Sequence, residues 1–200
     1  GDRAYSGDPG RAADAAAWVD GGMREAGIIS VWKHFPGHGN TATDSHQALP
    51  VVELSREDWA RGDAVPFRRA VECGAPAVMA GHIRMTAFDP EYPASLSHVL
   101  VSEVLREELG FEGVAMTDDL DMDAVQKYVE EGTAPVMALQ AGADLVLTSD
   151  PQGGIPSVLE AVETGALTWD RLDQSVLRVL RWKLQLGLLS LPGAEDVQTS

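Results

Sequence analysis

Apolar runs bounded by glycine, proline or charge alternate along the chain with stretches of helical periodicity. Four short runs rich in Val, Ile, Ala, Met and Leu predict buried strands, because strands covered on both faces are continuously apolar. They are expected over residues 28–34, 75–81, 113–117 and 144–148, with a short extended piece at 50–54. Apolar spacing of three and four residues, with capping and glycine stop signals, predicts helices over 8–26, 55–73, 97–110, 137–141, 154–163 and 168–187.

Two of these predicted helices have a distinctive pattern. Pro66 falls inside the second helix and is expected to break or restart it, because proline lacks the amide hydrogen that a helix interior needs. The last helix has an apolar stripe at the spacing of one helix face. Its members are Leu172, Val176, Val179, Leu180 and Leu184.

The alternation of strands and helices defines the expected fold class. Continuous apolar strands separated by helices indicate an α/β protein whose parallel sheet is buried on both faces. Four strands cannot close an eight-stranded barrel. The chain is therefore expected to form either a small open sheet or the later part of a (β/α)8 barrel of the TIM type.

Polar side chains follow each of the four predicted strands. In chain order they are Lys33 and His34, then His82, then Asp118 and Asp119, and finally Thr148 and Asp150. In parallel α/β proteins the carboxyl ends of the strands form the active site. Agreement among four strand ends therefore predicts a functional site at this edge of the sheet.

The segment from Val31 to His46 contains one Lys, three His and one Asp, and its proline and glycines force a loop. Asp44 lies two residues before His46. In an extended loop its carboxylate could hydrogen-bond one ring nitrogen, orient the imidazole and raise its basicity. With the distant Asp118 as nucleophile, these residues form a candidate acid–base and nucleophile set.

The residues of this loop also fit three different interpretations. His46 could simply hydrogen-bond the loop backbone. The three histidines and Asp44 could ligate a metal, although the ammonium group of Lys33 would repel a dication. A hydrolase built on Ser45 is the weakest hypothesis, because the Gly-x-Ser-x-Gly turn is missing and a nucleophile adjacent to its base in sequence has poor geometry.

The pair Asp118-Asp119 is ambiguous on spacing alone. Adjacent residues of a strand face opposite sides, so only one carboxylate can face the site. The other is expected to cap the following helix or to pair locally. Asp121 and Asp123 add negative charge near that helix start, which the helix dipole favours but which says nothing about catalysis.

Composition narrows the class of partner. The 200 residues include 15 Lys and Arg against 31 Asp and Glu, a formal net charge of −16, which argues against nucleic acid and anionic membrane surfaces as partners. No apolar run approaches the roughly 18 residues of a membrane span. The single cysteine excludes an intrachain disulfide. Oligomeric state stays open, as does location in the cytoplasm or outside the cell.

Several motifs together resemble one enzyme family. Lys-His-Phe-Pro-Gly-His-Gly at 33–39, followed by Asp-Ser-His at 44–46, is similar to the signature of the family 3 β-N-acetylglucosaminidases of the peptidoglycan-recycling type. Further similar segments follow in family order nearly from end to end. They are Gly1 to Arg3 with Gly7 to Pro9, Pro93 to Ser97, Leu105 to Phe111, Thr117 to Met122, and Ala141 to Asp144.

This resemblance implies a retaining glycosidase on a (β/α)8-type barrel, acting on carbohydrates that end in N-acetylglucosamine. It implies no cofactor and no metal. By the resemblance, Asp118 is the nucleophile, His46 is the general acid and base, and Asp44 is the dyad partner of His46. The positions that bind the terminal sugar are matched by Arg3, Lys33 and His34.

Phosphorolysis on the same residues is the main competing hypothesis. An imidazole in place of a second carboxylate removes an anion that would repel a phosphate acceptor. Two further hypotheses are a β-glucosidase of the same broad family and a non-catalytic sugar-binding module. The natural substrate stays open among muropeptides, chitooligosaccharides and glycoconjugate fragments.

The resemblance also predicts the domain organisation. Residues 1–189 are expected to form a partial catalytic barrel domain that lacks the first strands of the family. Residues 190–200 are expected to be a loose C-terminal tail. Asn40 stands where the family usually has Asp, a position expected to stabilise the loop.

Overall fold

The computed structural model describes most of the chain, in the ranges 4–39, 41, 49–127, 129–130 and 132–190. Arg3, Asp44 and His46 lie outside these ranges, as does the expected tail beyond residue 190. The division into a barrel portion and a tail therefore stays a prediction. Within the described ranges, no helix combines the length and hydropathy that a membrane crossing requires.

A three-stranded parallel sheet forms the centre of the fold. Its middle strand, β3 (Ala77–Ala80), pairs with β1 (Trp32–Phe35) on one side and with β5 (Val114–Thr117) on the other. All four residues of β3 are buried, as expected for a strand with neighbours on both sides and layers on both faces. Because the strands are parallel, their carboxyl ends meet at one edge.

Helices alternate with these strands, which confirms the α/β class. In chain order they are α1 (Pro9–Glu25), α2 (Arg56–Arg61), α3 (Ala64–Glu72), a 3₁₀ helix (Ala94–Leu96), a π-helix (Val99–Glu108), α4 (Asp123–Gln126), α5 (Ala134–Ala141), α6 (Pro151–Glu163) and α7 (Trp169–Gln185). Two short strands, β2 (Val51–Val52) and β4 (Arg84–Met85), pair in parallel outside the main sheet.

Local capping explains where the first helices begin. Oδ1 of Asp8 accepts a hydrogen bond from the backbone N–H of Arg11 at 2.8 Å, with Pro9 in the first helical turn. Ser55 caps α2 in the same way. The predicted helix 55–73 is broken, but the break falls at Gly62 rather than at Pro66, which lies in the first turn of the restarted helix.

The first strand is shorter than its apolar run predicts. Ile28 is 53% exposed, and β1 begins only at Trp32, opposite Val78 of β3. The expectation that the whole run is a buried strand was therefore wrong. Apolar character alone does not extend a strand, because each residue also needs a partner for its backbone groups.

The expected fourth strand is reduced to one parallel bridge, between Leu145 and Met116 of β5. Side chains replace part of the regular ladder around it. The carboxylate of Asp144 accepts the N–H of Ala115 at 3.0 Å, and the hydroxyl of Thr117 accepts the N–H of Leu147 at 3.0 Å. Backbone groups that bond to side chains are lost to strand pairing.

The last helix contacts the core through Leu172 of its apolar stripe and through polar residues. Val176 and Leu180 are 51% and 38% exposed, whereas Ser175 is buried. The hydroxyl of Ser175 donates to Oδ1 of Asp144 at 2.9 Å, and Nη1 of Arg178 donates to the same oxygen at 3.1 Å. These hydrogen bonds set which face of α7 lies against the core.

Asp144 is a buried carboxylate surrounded by three arginines. Arg106 pairs with its Oδ2, and Nη2 of Arg171 lies 3.7 Å from its Oδ1, in addition to the contact with Arg178. Burial lowers the pKa of Arg106 to about 10, although the charge of Asp144 acts in the opposite direction. Arg106 also donates to the carbonyl oxygen of Gly113, so the cluster holds the amino end of β5.

An aromatic contact fixes the loop that leaves β1. Phe35 packs edge-on against Trp59 with ring centroids 6.4 Å apart, and Nε1 of Trp59 donates to the carbonyl oxygen of Pro36 at 2.9 Å. Gly37 has a φ of +137°, and a Cβ added to it would lie 2.6 Å from Cβ of Asp63. Glycine is therefore required at this point of the loop.

Replacing Gly113 with Ala is expected to lower the free energy of unfolding by about 1–3 kcal/mol. The added Cβ would lie 2.6 Å from the carbonyl oxygen of Pro76 and 2.8 Å from that of Ala75. The matched control is Gly21→Ala inside α1, where the added Cβ meets no atom within 4 Å and helix propensity should stabilise by about 1 kcal/mol. Chemical denaturation measures both variants, and equal stabilities would contradict the prediction.

Replacing Asp144 with Asn is expected to cost about 3–5 kcal/mol of unfolding free energy, because the arginines around it lose their shared buried anion. Asp123→Asn is the control, since Asp123 forms an exposed pair with Lys127 at 2.7 Å and should contribute less than about 1 kcal/mol. Denaturant unfolding compares the two variants. A loss at Asp144 no larger than that at Asp123 would refute this role.

Candidate active site

Lys33 and His34 lie at the carboxyl end of β1, where the pairing register with β3 shifts before Phe35. The peptide bond between Lys33 and His34 is cis. Lys33 is exposed, whereas the side chain of His34 keeps only 14% of its accessible surface. A Cβ added to Gly81 would lie 3.0 Å from Cβ of His34, so the glycine after β3 makes room for this histidine.

Asp118 follows β5 directly and faces His34. Oδ2 of Asp118 lies 3.5 Å from Nε2 of His34, an ion pair when the imidazole is protonated. The backbone N–H of Asp118 donates to the carbonyl oxygen of Ala80 at 2.9 Å, which continues the pairing of β5 with β3 by one residue. The side chain is 18% exposed, so its carboxylate is accessible from outside.

Asp119 has different surroundings from Asp118. Its Oδ1 accepts the backbone N–H of Asp121 at 3.0 Å, and its own N–H donates to Oδ1 of Asp118 at 2.9 Å. Asp119 therefore pairs locally in a turn, while Asp118 faces His34. The geometry distinguishes the two carboxylates, which spacing alone leaves open. The catalytic role of Asp118 stays a prediction.

The loop after β1 returns to the side of His34. The ring of His38 packs edge-on against that of His34 with centroids 5.7 Å apart. Oγ1 of Thr41 lies 2.5 Å from Nδ1 of His38 and 2.9 Å from its carbonyl oxygen. A continuous series of contacts thus leads from Asp118 to the residue that precedes the segment 42–48.

His82 lies just beyond β3 and is 1% exposed. Its Nε2 lies 2.7 Å from the carbonyl oxygen of Asp119, and its Nδ1 lies 2.7 Å from Oγ of Ser95. Because a carbonyl oxygen only accepts hydrogen bonds, Nε2 bears a hydrogen. The sequence marks His82 as a strand-end residue but not as a contact of Asp119. No local pattern reveals partners this far apart in the chain.

The structure thus brings Lys33, His34 and Asp118 to one edge of the sheet, as the strand ends predict. The remaining predicted site residues, Arg3, Asp44 and His46, lie outside the described residues, so their placement stays a prediction. Among the side chains that the structure does describe, no three His, Cys, Asp or Glu are grouped as metal ligands. The metal hypothesis is not tested by this, because it includes Asp44 and His46.

Asp121 joins the turn after β5 to the segment that follows Leu147. Its Oδ2 accepts hydrogen bonds from the hydroxyl of Ser149 at 2.6 Å, from the backbone N–H of Ser149, and from Oγ1 of Thr148 at 3.3 Å. The hydroxyl of Ser149 is the main cause, and its N–H the second, of a pKa for Asp121 below the ordinary value of 3.8. The ionised carboxylate therefore links the turn after β5 to Thr148 and Ser149.

A parallel α/β fold with polar residues at its strand ends is the arrangement of a barrel-type enzyme. The Glycosyl hydrolase family 3 N terminal domain matches residues 1–182. The Beta-hexosaminidase of Hydrogenovibrio crunogenus is 38% identical over 174 residues, which are 86% of this chain and 48% of that protein. The chain belongs to glycosyl hydrolase family 3, and it spans about half the length of this curated relative.

Two similar solved structures confirm the expected TIM-type fold. The glycoside hydrolase family 3 beta-N-acetylglucosaminidase from Paenibacillus sp. str. FPU-7 has a TM-score of 0.91 at 37% identity, over 97% of this chain and 39% of that chain. The Beta-glucoside phosphorylase BglX has a TM-score of 0.88 at 32% identity, over 93% of this chain and 36% of that one. Both therefore extend well beyond the part that this chain matches.

Replacing Asp121 with Asn is expected to remove a pH-dependent part of the stability. Since folding lowers the pKa of Asp121, its stabilisation is fully present above the ordinary value of 3.8 and is lost as the pH falls through the lowered value. The difference in unfolding free energy between parent and variant should be constant above about pH 5 and shrink below about pH 4.

Urea denaturation at a series of pH values measures this difference. Ser149→Ala, which removes the hydroxyl donor but keeps the N–H donor, should retain part of the effect. A difference between parent and Asp121→Asn that does not vary with pH would show that these hydrogen bonds do not favour the ionised carboxylate.

Proposed function

We propose that the full-length protein is a retaining exo-β-N-acetylglucosaminidase that removes N-acetylglucosamine from the non-reducing end of a glycan. Membership of glycosyl hydrolase family 3 supports cleavage of a glycosidic bond. The names of the Hydrogenovibrio and Paenibacillus relatives support the N-acetylated sugar. The activity is proposed for the full-length protein because this chain spans about half of the curated relative.

The proposal depends above all on the contact between Asp118 and His34. A nucleophilic carboxylate must be held in place and yet be reachable by the anomeric carbon of the sugar. Asp118 satisfies both conditions, since its N–H is bonded to β3, its Oδ2 lies 3.5 Å from Nε2 of His34, and its side chain is 18% exposed. The carboxylate of Asp119 instead accepts the N–H of Asp121 in its local turn.

The proposed reaction has two steps. Asp118 attacks the anomeric carbon while His46, oriented by Asp44, protonates the departing oxygen, and a covalent glycosyl-enzyme results. His46 then takes a proton from water, which attacks the same carbon and releases the sugar with retained configuration. Because imidazole titrates near neutral pH, one residue can act as acid in the first step and as base in the second.

The proximity of the loop to Asp118 supports His46 as the partner of this nucleophile. The contacts from Asp118 through His34 and His38 reach Thr41, five residues before His46 in the sequence. A loop that begins beside the nucleophile can place a side chain over the scissile bond. His46 is therefore proposed on the loop contacts and on the family resemblance together.

Lys33, His34 and Arg3 are proposed to bind the terminal sugar. The exposed ammonium group of Lys33 offers three donors to sugar hydroxyls at the end of β1. The contact of His34 with Asp118 supports a hydrogen bond between His34 and a sugar hydroxyl group close to the reacting carbon. Arg3 is proposed on the resemblance alone.

Hydrolysis is proposed in preference to phosphorolysis because the curated relative is named a hexosaminidase. In phosphorolysis, phosphate would attack the glycosyl-enzyme in place of water and release the sugar 1-phosphate. The likeness to the phosphorylase structure supports phosphorolysis, but the name of that protein refers to a β-glucoside rather than to an N-acetylglucosaminide. A phosphate series in the assay below separates the two reactions.

Replacing Asp118 with Ala in the full-length protein is expected to lower kcat by about 10³-fold or more, because the attacking group is lost. Asp119→Asn is the matched control, since its amide oxygen can still accept the N–H of Asp121, and kcat should fall less than about tenfold. Thermal unfolding confirms that both variants fold. Full turnover by Asp118→Ala would exclude Asp118 as nucleophile.

The parent protein is assayed with an aryl N-acetyl-β-glucosaminide in the presence and absence of phosphate. Free sugar released at a rate independent of phosphate supports the proposed hydrolase. N-acetylglucosamine 1-phosphate formed at a rate that rises with phosphate supports the phosphorylase instead. Turnover of an aryl β-glucoside alone supports a glucosidase, and no turnover of either substrate supports a sugar-binding module.

A further inference from the structure

Asp118 and Asp119, which follow β5, are each hydrogen-bonded to a residue at the end of β3. The N–H of Asp118 donates to the carbonyl oxygen of Ala80 at 2.9 Å. On the far side, the carbonyl oxygen of Asp119 lies 2.7 Å from Nε2 of His82. Residues 80 and 82 thus fix both ends of the Asp118-Asp119 segment, one through the backbone and the other through a side chain.

The imidazole of His82 is itself held in one orientation. It is 1% exposed, and Oγ of Ser95, which is fully buried, lies 2.7 Å from Nδ1. With Nε2–H directed at Asp119, a neutral ring uses Nδ1 to accept the hydroxyl hydrogen of Ser95. Both ring nitrogens are then satisfied, and rotation of the ring would break both hydrogen bonds.

We infer that His82 is a positioning residue for catalysis, which holds the carbonyl group of Asp119 so that the carboxylate of Asp118 stays beside His34. This inference rests on the proposed role of Asp118 as nucleophile. An apolar residue of similar size would fill the space but leave the half-buried carbonyl of Asp119 without this donor. The peptide unit between Asp119 and Leu120 would then turn towards another donor, and the backbone of Asp119 would pass this displacement to Asp118.

The consequence for catalysis follows from the geometry of attack. Displacement of a reacting group by about 1 Å can reduce the rate about 10²-fold, because near-attack geometry is lost. The carboxylate of Asp118 is also bonded to the preceding peptide unit, because the N–H of Asp119 donates to its Oδ1 at 2.9 Å. A change in the backbone angles of Asp119, where the two peptide units meet, therefore changes both the position of Asp118 and this hydrogen bond.

A pair of amide substitutions at position 82 in the full-length protein tests this role. In His82→Gln the amide nitrogen takes the position of Nε2 and can still donate to Asp119. In His82→Asn the shorter amide takes the position of Nδ1, so it keeps the contact with Ser95 and loses that with Asp119. His98→Gln is the control, because His98 is an exposed histidine at the start of the π-helix.

The measured quantities are kcat and KM for an aryl N-acetyl-β-glucosaminide, the rate of formation of the glycosyl-enzyme, and the midpoint of thermal unfolding. His82→Asn should lower kcat and the glycosyl-enzyme rate about 10²-fold with a KM within about threefold of the parent. His82→Gln should have a kcat at least about tenfold higher than that of His82→Asn, at a similar unfolding midpoint. His98→Gln should match the parent.

Equal kcat values for folded His82→Gln and His82→Asn would overturn the inference, as would kcat values that follow only the unfolding midpoint. If His82→Asn does not fold, the comparison is made with Ser95→Ala, which keeps the donor to Asp119 and should lower kcat less than about tenfold. A larger loss there would overturn the inference. A parent without turnover, or an active Asp118→Ala variant, would refute the proposed function itself.

Discussion

The candidate site depends on the parallel pairing of β3 with both of its neighbours. This pairing brings residues that are remote in sequence to one edge of the sheet. Beyond the regular strands, the N–H of Gly81 donates to the carbonyl oxygen of Phe35 at 2.8 Å, and the carbonyl oxygen of Ala80 accepts from Asp118 at 2.9 Å. A slip of either pairing by one residue would turn the side chains to the opposite face and separate Asp118 from His34.

Charge is used differently at the two ends of β5. At the amino end, Asp144 is buried and fully engaged with arginines, a hydroxyl group and a backbone N–H. At the carboxyl end, Asp118 keeps part of its surface exposed, as does Lys33 at the carboxyl end of the nearby β1. This division places stability at one end of the strands and ligand access at the other, as in (β/α)8 enzymes generally.

Much of the fold could be predicted from the sequence, and the errors have a common cause. The starts of α1 and α2 and the strand β3 lie where capping residues and an uninterrupted apolar run indicate. The predictions failed for the exposed Ile28 and for the strand around Leu145. In each case pairing with a distant segment, rather than local hydrophobicity, decided the outcome.

The sequence by itself determined the α/β class, the order of the elements and the presence of polar residues at the strand ends. These properties depend on periodicity, capping and turn residues, which act over a few neighbouring positions. Only the tertiary structure decided which carboxylate of the Asp118-Asp119 pair faces His34, and which peptide the imidazole of His82 holds. Those contacts join residues from different strands, and their geometry is set by strand register and packing rather than by local sequence.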